Sequence, residues 1–213
     1  MNWFVGTFKS SIGKKLLMAL TGLAFCGFLA AHLAGNLTVY SGKAAFNAYA
    51  DKLHSLGVLV YVFELALLTL ALIHVPFGLL LFYENTKARP VRYKVNKSAG
   101  GRTIGSATMP YTGLFLLIFI VFHLMNFTFA DKTGTTIYEI VSKAFSNPLY
   151  VGYYILAMIV AAVHVSHGLW SAFQTLGANH PKYTPAIRTL SLIFALVVGL
   201  GFGLLPIYFS ISA

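Results

Sequence analysis

Four histidines stand at matched places in an apolar chain: His32, His74, His123 and His164. The phrase His74-Val75-Pro76-Phe77-Gly78-Leu79 returns ninety positions later as His164-Val165-Ser166-His167-Gly168-Leu169. Beside it, Met18-Ala19-Leu20-Thr21-Gly22-Leu23 returns ninety-one positions later as Met109-Pro110-Tyr111-Thr112-Gly113-Leu114. Ten residues after the Gly of each copy stands His-Leu, as His32-Leu33 and His123-Leu124. Neutral imidazole is a ligand for iron, copper and zinc. A single His in a membrane helix is readily a hydrogen-bonded packing residue. Four of them, one on each of four successive apolar segments, point instead to shared metal chemistry, because an intramembrane His is costly and turns to the bundle interior or to a partner.

The elements that must position these rings are long helices. The 213 residues are 58% hydrophobic and only 9% charged, with a mean hydropathy of +0.77. A soluble domain carries about 25% charged residues, so most of this surface must face lipid. The net charge is +10, but the Lys and Arg cluster in short loops, which marks topology rather than nucleic-acid binding. The fold class is therefore all-α: a single polytopic membrane domain, 1–213, with five transmembrane helices over about 16–40, 57–83, 108–129, 149–176 and 186–210. Each is long enough to cross about 30 Å of hydrocarbon at 1.5 Å per residue. The first four form a duplicated two-helix unit, 16–83 and 108–176, and the fifth lies outside the repeat. Phe46, Tyr49, Ala50 and Leu53 fall at i, i+3, i+4 and i+7, as do Ile137, Ile140, Val141 and Ala144, so each half also carries an interfacial helix. Lys14, Lys15 and the apolar run to Ala30-Ala31 imitate a signal peptide. The run continues to Tyr40, so no cleavage is expected. The single Cys26 reads as a small core residue. The side holding the N-terminus, the 84–107 loop and the 177–188 turn has eleven Lys/Arg and one acid, against four and three on the other. The positive-inside rule puts the N-terminus in the cytoplasm and the C-terminus outside.

Depth along these helices sorts the rings. His32 and His123 fall about 6 Å toward the outer face, His74 and His164 about 3–5 Å toward the inner face. An even number of crossings separates the copies, so the repeat is parallel and its axis lies along the membrane normal. Equivalent residues meet at such an axis: His32 with His123 outside, His74 with His164 inside. Two imidazoles facing each other across a bundle form an axial pair for a haem iron, and two levels imply two haems. Zinc would need three or four ligands at one point, whereas the two levels lie about 10 Å apart. A di-iron carboxylate site needs several Glu, and the only intramembrane acid is Glu64. Gly22, Gly78, Gly113 and Gly168 lie near the pairs, where a missing side chain serves either close helix packing or the approach of a flat macrocycle. His167 is matched by Phe77, so His164 is taken as the ligand; His167 contacts a propionate or is hydrogen-bonded within the bundle. Glu64 in the outer third of its helix and His54 near the outer surface read either as a bundle-paired acid and a solvated loop His, or as groups that bind and deprotonate a quinol.

At this point the chain resembles a known family, the diheme cytochrome b membrane anchor of succinate:quinone oxidoreductases of the single-anchor type, meaning succinate dehydrogenases and fumarate reductases. The matching stretches are Ser11-Ile12-Gly13-Lys14-Lys15, Met18-Ala19-Leu20-Thr21-Gly22, His32-Leu33-Ala34-Gly35-Asn36, Phe46-Asn47-Ala48-Tyr49-Ala50, Ala88-Arg89-Pro90, Thr112-Gly113, His123-Leu124, and His164 with Gly168-Leu169-Trp170. The resemblance implies five helices, two haem b groups on His32, His74, His123 and His164, and a menaquinone site near the outer haem. It also implies a bacterial cytoplasmic (inner) membrane and two partners on the cytoplasmic side, a flavoprotein with covalent FAD and an iron–sulfur subunit with three clusters. The basic loop 84–107 and the Lys9–Lys15 stretch would then dock the iron–sulfur subunit, or serve topology and lipid headgroups alone. One departure matters: some fumarate reductases carry a Glu two positions before the fourth ligand, proposed as a proton route, and that place here is Ala162. The alternative anchor, from a hydrogenase or formate dehydrogenase, often puts two ligands on one helix, which this chain does not. A transporter or structural protein with buried polar histidines is the non-redox alternative. A dimer of complexes is left open.

Overall fold

The computed structural model describes residues 3, 6, 7, 10–88, 91 and 102–212. Seven helices of nine or more residues follow in chain order: α1 Ser11–Asn36, α2 Lys43–His54, α3 Val58–Lys87, α4 Ile104–His123, α5 Ile137–Phe145, α6 Pro148–Thr175 and α7 Thr184–Ser212. A 3₁₀ turn, Leu37–Ser41, extends α1, and a π turn, Leu124–Thr128, extends α4. Five of these segments are long and apolar enough to cross a membrane: Ser11–Ser41, Val58–Lys87, Ile104–Thr128, Pro148–Thr175 and Thr184–Ser212.

The helix starts are set by polar caps, which is why several begin earlier than hydrophobicity alone suggests. Ser10 accepts the Gly13 N–H at the start of α1. Thr103 and Ser106 form a reciprocal capping box at α4, and Thr136 and Glu139 do the same at α5. Asn147 caps α6, with Pro148 at its first position. Each cap satisfies backbone donors that would otherwise be orphaned. Gly42, at φ 99°, makes the turn from the 3₁₀ segment into α2, and Gly177, at φ 92°, ends α6; both conformations are open to glycine at little cost.

Helix α1 packs on α3 and α6, while α4 packs on α6 and, more loosely, on α3. The four therefore close a square in which α1 faces α4 and α3 faces α6 along the diagonals. Helix α7 lies against α6 and α1. Glycines permit that contact: a Cβ at Gly199 would fall 2.8 Å from Ala162 Cβ, and one at Gly201 would fall 2.8 Å from both Leu33 Cδ atoms. Small residues let membrane helices approach closely, and dispersion then holds them. Helix α6, covered by α7, buries Tyr154, Ala157, Met158, Ala161, Val165, Leu169, Trp170 and Ala172, whereas α3 buries none of its residues. The main core lies in the half that carries the interfacial helices, where Phe46 of α2 and Phe145 of α5 join Phe119, Tyr154, Leu205 and Phe209. The interfacial helices meet there: Asn47 accepts the Tyr138 backbone N–H at 3.0 Å, and Lys43 pairs with Glu139 at 2.9 Å. At the opposite end Lys14, 9% exposed, pairs with Glu84 and joins α1 to α3.

Candidate functional site

Both diagonals of the square carry two imidazoles. On the outer one, the His32 and His123 ring centres are 6.0 Å apart and nearly perpendicular. Metal–imidazole nitrogen bonds are about 2.0–2.1 Å, and about 1.1 Å separates that nitrogen from the ring centre, so two axial rings on one metal lie about 6.3 Å apart. The observed spacing fits a shared iron. Phe28 stacks on His32 at 5.2 Å, and Phe127 and Phe119 flank His123 at 5.2 and 5.8 Å. These rings give the pair apolar neighbours.

The inner diagonal carries His74 on α3 and His164 on α6. Each of these rings meets the neighbouring helix in the same way. Thr21 Oγ1 lies 2.9 Å from His74 Nδ1, and Thr112 Oγ1 lies 3.0 Å from His164 Nδ1. A Cβ at Gly22 would come 3.5 Å from His74 Cε1, and one at Gly113 would come 3.4 Å from His164 Cε1. A Cβ at Gly78 would meet Met18 Cε at 3.4 Å, and one at Gly168 would meet Met109 Cε at 4.0 Å. Three contacts therefore recur at offsets of ninety and ninety-one residues. Gly22 and Gly113 thus belong with the inner rings, although they share helices with the outer ones. The donor set suits haem: paired neutral imidazoles, glycine at the ring edges and flexible methionines beside them. Among the described residues no group of three or more His, Cys, Asp or Glu could hold a metal ion together.

The outer rings have unlike polar partners. His123 Nδ1 lies 3.1 Å from the Tyr154 hydroxyl, which accepts from Tyr150 at 3.3 Å. Asn36 donates to the His32 carbonyl at 2.8 Å and reaches His32 Nδ1 only at 3.5 Å.

The remaining candidates do not converge on the rings. A Cβ at Gly105 would fall 2.7 Å from His167 Cβ, so that backbone is wedged against α4. The half-buried His167 ring sits 5.1 Å from Trp170, and its Nδ1 lies 3.4 Å from Thr103 Oγ1, a hydrogen-bond contact of the kind its second reading expects. Glu64 is exposed on α3 and has no hydrogen-bond or ion-pair partner among the described residues, so the reading of an acid paired within the bundle does not hold. His54 is exposed and lines a cavity of about 240 Å³ with Asn47, Asp51, Lys132 and Thr135, between the two interfacial helices. No hydrogen bond joins it to Glu64. Lys9, Arg89, Arg92, Lys94 and Lys97 lie outside the described residues. Lys14 is engaged with Glu84, so it is not a free docking charge.

Thr21, Thr112 and Tyr154 were not singled out from the sequence as partners of the rings. The repeated Thr-Gly step was the available signal for the first two. Tyr154 has no counterpart signal, because the matched position on α3 is Glu64.

The profile of the Succinate dehydrogenase/Fumarate reductase transmembrane subunit family matches residues 84–200. The chain is 28% identical over 188 residues to the succinate dehydrogenase cytochrome b558 subunit of Bacillus subtilis (strain 168), covering 86% of this chain and 88% of that one. No solved structure matches the chain significantly.

Proposed function

Given that the chain belongs to the succinate dehydrogenase/fumarate reductase transmembrane subunit family, we propose that it binds two b haems, one between His32 and His123 and one between His74 and His164, and carries electrons between an iron–sulfur subunit and menaquinone. Bound haem supplies a one-electron couple at each level. The chain's own residues hold the four imidazoles and flank the outer pair with Phe28, Phe119 and Phe127. The duplication, 16–83 with 108–176, accounts for the two levels. A flavoprotein with FAD and an iron–sulfur subunit with its clusters dock on the cytoplasmic side, and the anchor lies in the bacterial inner membrane with its N-terminus cytoplasmic. The observation that carries the reading is the His32–His123 ring pair, 6.0 Å apart across one diagonal of the bundle.

Glu64 and His54 are proposed to serve the quinone near the outer level. The support is an acid without a partner in an apolar helix, where an ionisable side chain is retained only for a role. Glu64→Gln is expected to slow quinone turnover without changing haem content, and unchanged turnover removes Glu64 from the scheme.

The reading is tested by haem per polypeptide and a reduced-minus-oxidised spectrum of the purified complex. Two haems are expected. His74→Ala should lose one absorption and His123→Ala the other; full pigment in either variant overturns the assignment.

A further inference from the structure

We propose that Thr21 and Thr112 are positioning residues that select the iron-binding tautomer of His74 and His164. The inference rests on the haem reading above and adds residues to it. A threonine hydroxyl has one proton. Thr21 Oγ1 lies 2.7 Å from the Leu17 carbonyl, and Thr112 Oγ1 lies 3.1 Å from the carbonyls of both Thr108 and Met109. A carbonyl only accepts, so each hydroxyl donates its proton within its own helix. What it presents to the imidazole across the interface is a lone pair. The Nδ1 atoms of His74 and His164, at 2.9 and 3.0 Å, must then carry the hydrogen. In a neutral imidazole that leaves Nε2 as the bare nitrogen, which is the form that ligates a metal. The choice is made by protein groups before any metal arrives.

Geometry restricts this device to the inner rings. Thr21 is buried at 4% exposure, and Gly22 and Gly113 beside the threonines set the ring edges against backbone. The matched contacts make the two locks equivalent. Around the outer rings the same accounting gives no such result. The Asn36 amide nitrogen can only donate, and Tyr154 both donates and accepts.

An acceptor on Nδ1–H raises the electron donation of the ring to iron and so favours the ferric state. Thr21→Val and Thr112→Val keep the side-chain shape and remove the acceptor. The test is a potentiometric titration of the intact complex with low-spin electron paramagnetic resonance, comparing both variants with Thr21→Ser, Thr112→Ser and, as a remote control, Thr69→Val, whose hydroxyl bonds only the Leu65 carbonyl. The expected result is a rise in the midpoint potential of the inner haem alone. It should amount to about a three- to tenfold fall in ferric over ferrous preference, the upper bound being 59 mV for one electron. The inner g-values should also change, and serine should restore both. Inner-haem signals unchanged in both valine variants, a shift confined to the outer haem, or no rescue by serine overturns the inference while the haem reading stands. A wild-type complex without haem overturns both.

Discussion

Substituting Gly199 by Ala tests the α6–α7 contact that the whole bundle leans on. The added Cβ would lie 2.8 Å from Ala162 Cβ and 3.4 Å from the Met158 carbonyl oxygen. Non-bonded carbons are at ease about 3.5–4.0 Å apart, so the neighbours must yield by roughly 1 Å. Neither can: one is a methyl fixed to the α6 backbone, the other is the backbone itself. The helices must separate, and α7 loosens from Ala162 and Met158 together. Overpacking of this kind costs about 1–3 kcal/mol. In a chain of this size that lowers the thermal midpoint by about 2–4 °C per kcal/mol, so a fall of about 2–12 °C is expected. Ala162→Gly alone should cost about 1 kcal/mol through helix propensity. Combining Ala162→Gly with Gly199→Ala moves the methyl from one helix to the other and should recover most of the loss, giving a coupling of about 1–2 kcal/mol. The assay is thermal unfolding of the detergent-solubilised complex followed by far-ultraviolet circular dichroism. A Gly199→Ala midpoint equal to wild type, or a double variant equal to the sum of its parts, refutes the packing argument. The same contact bears on the position where some fumarate reductases carry Glu: Ala162→Glu has no room beside Gly199 and should fall below Gly199→Ala in stability.

Gly22→Ala is expected to keep both haems, since its Cβ meets His74 Cε1 at an ordinary 3.5 Å, whereas Gly22→Val reaches about 1.5 Å further, overpacks the ring and should lose the inner haem; haem per polypeptide decides. For the Lys14–Glu84 pair, side-chain exposures of 11% and 38% predict an asymmetry. Glu84→Gln keeps an acceptor but leaves the buried ammonium without a counter-charge and should cost about 1–3 kcal/mol, more than Lys14→Met, and equal thermal midpoints would contradict this. At the outer surface, the hydrogen bond from Lys43, with help from the Thr136 N–H, holds the Glu139 carboxyl down from its ordinary 4.5 to about 2. A depressed folded-state pKa stabilises fully above about pH 4.5 and is lost as pH falls toward 2. Hydrogen exchange of α5 amides, corrected for intrinsic pH dependence, should therefore quicken below pH 4.5 in wild type and stay level in Glu139→Gln.

The five crossings and both interfacial helices were legible because length, apolar content and the i, i+3, i+4, i+7 spacing act locally. Their ends were less legible. Helix α4 begins at Ile104 rather than near 108 because the Thr103–Ser106 box lies in a polar stretch, and α3 runs on to Lys87 past its last apolar run. Which face of a uniformly apolar helix meets lipid is not written in its period. Glu64 is exposed because α3 has no counterpart of α7 laid over it, a tertiary fact. The threonine contacts were hidden for a different reason: each joins residues more than fifty positions apart, and their meaning appears only when every proton is assigned.

That assignment also explains how a duplicated chain can make two unlike levels. Duplication delivers two copies of each ring, and at the inner level it delivers two copies of the partner as well, so His74 and His164 see the same hydroxyl at 2.9 and 3.0 Å. At the outer level the copies have diverged in backbone: α1 tightens into a 3₁₀ turn at Leu37, whereas α4 widens into a π turn at Leu124, directly after His123. A π turn holds one more residue per turn. In sequence, Asn36 stands four residues after His32 and bonds the carbonyl of that His, whereas Asn126 stands three after His123 and bonds the Phe122 carbonyl. The ring left without an asparagine takes Tyr154 instead. Both asparagines bond the carbonyl four residues back, so the one-residue difference in their spacing from the His takes Asn126 away from the His123 ring, and the outer rings have different partners while the inner rings keep theirs.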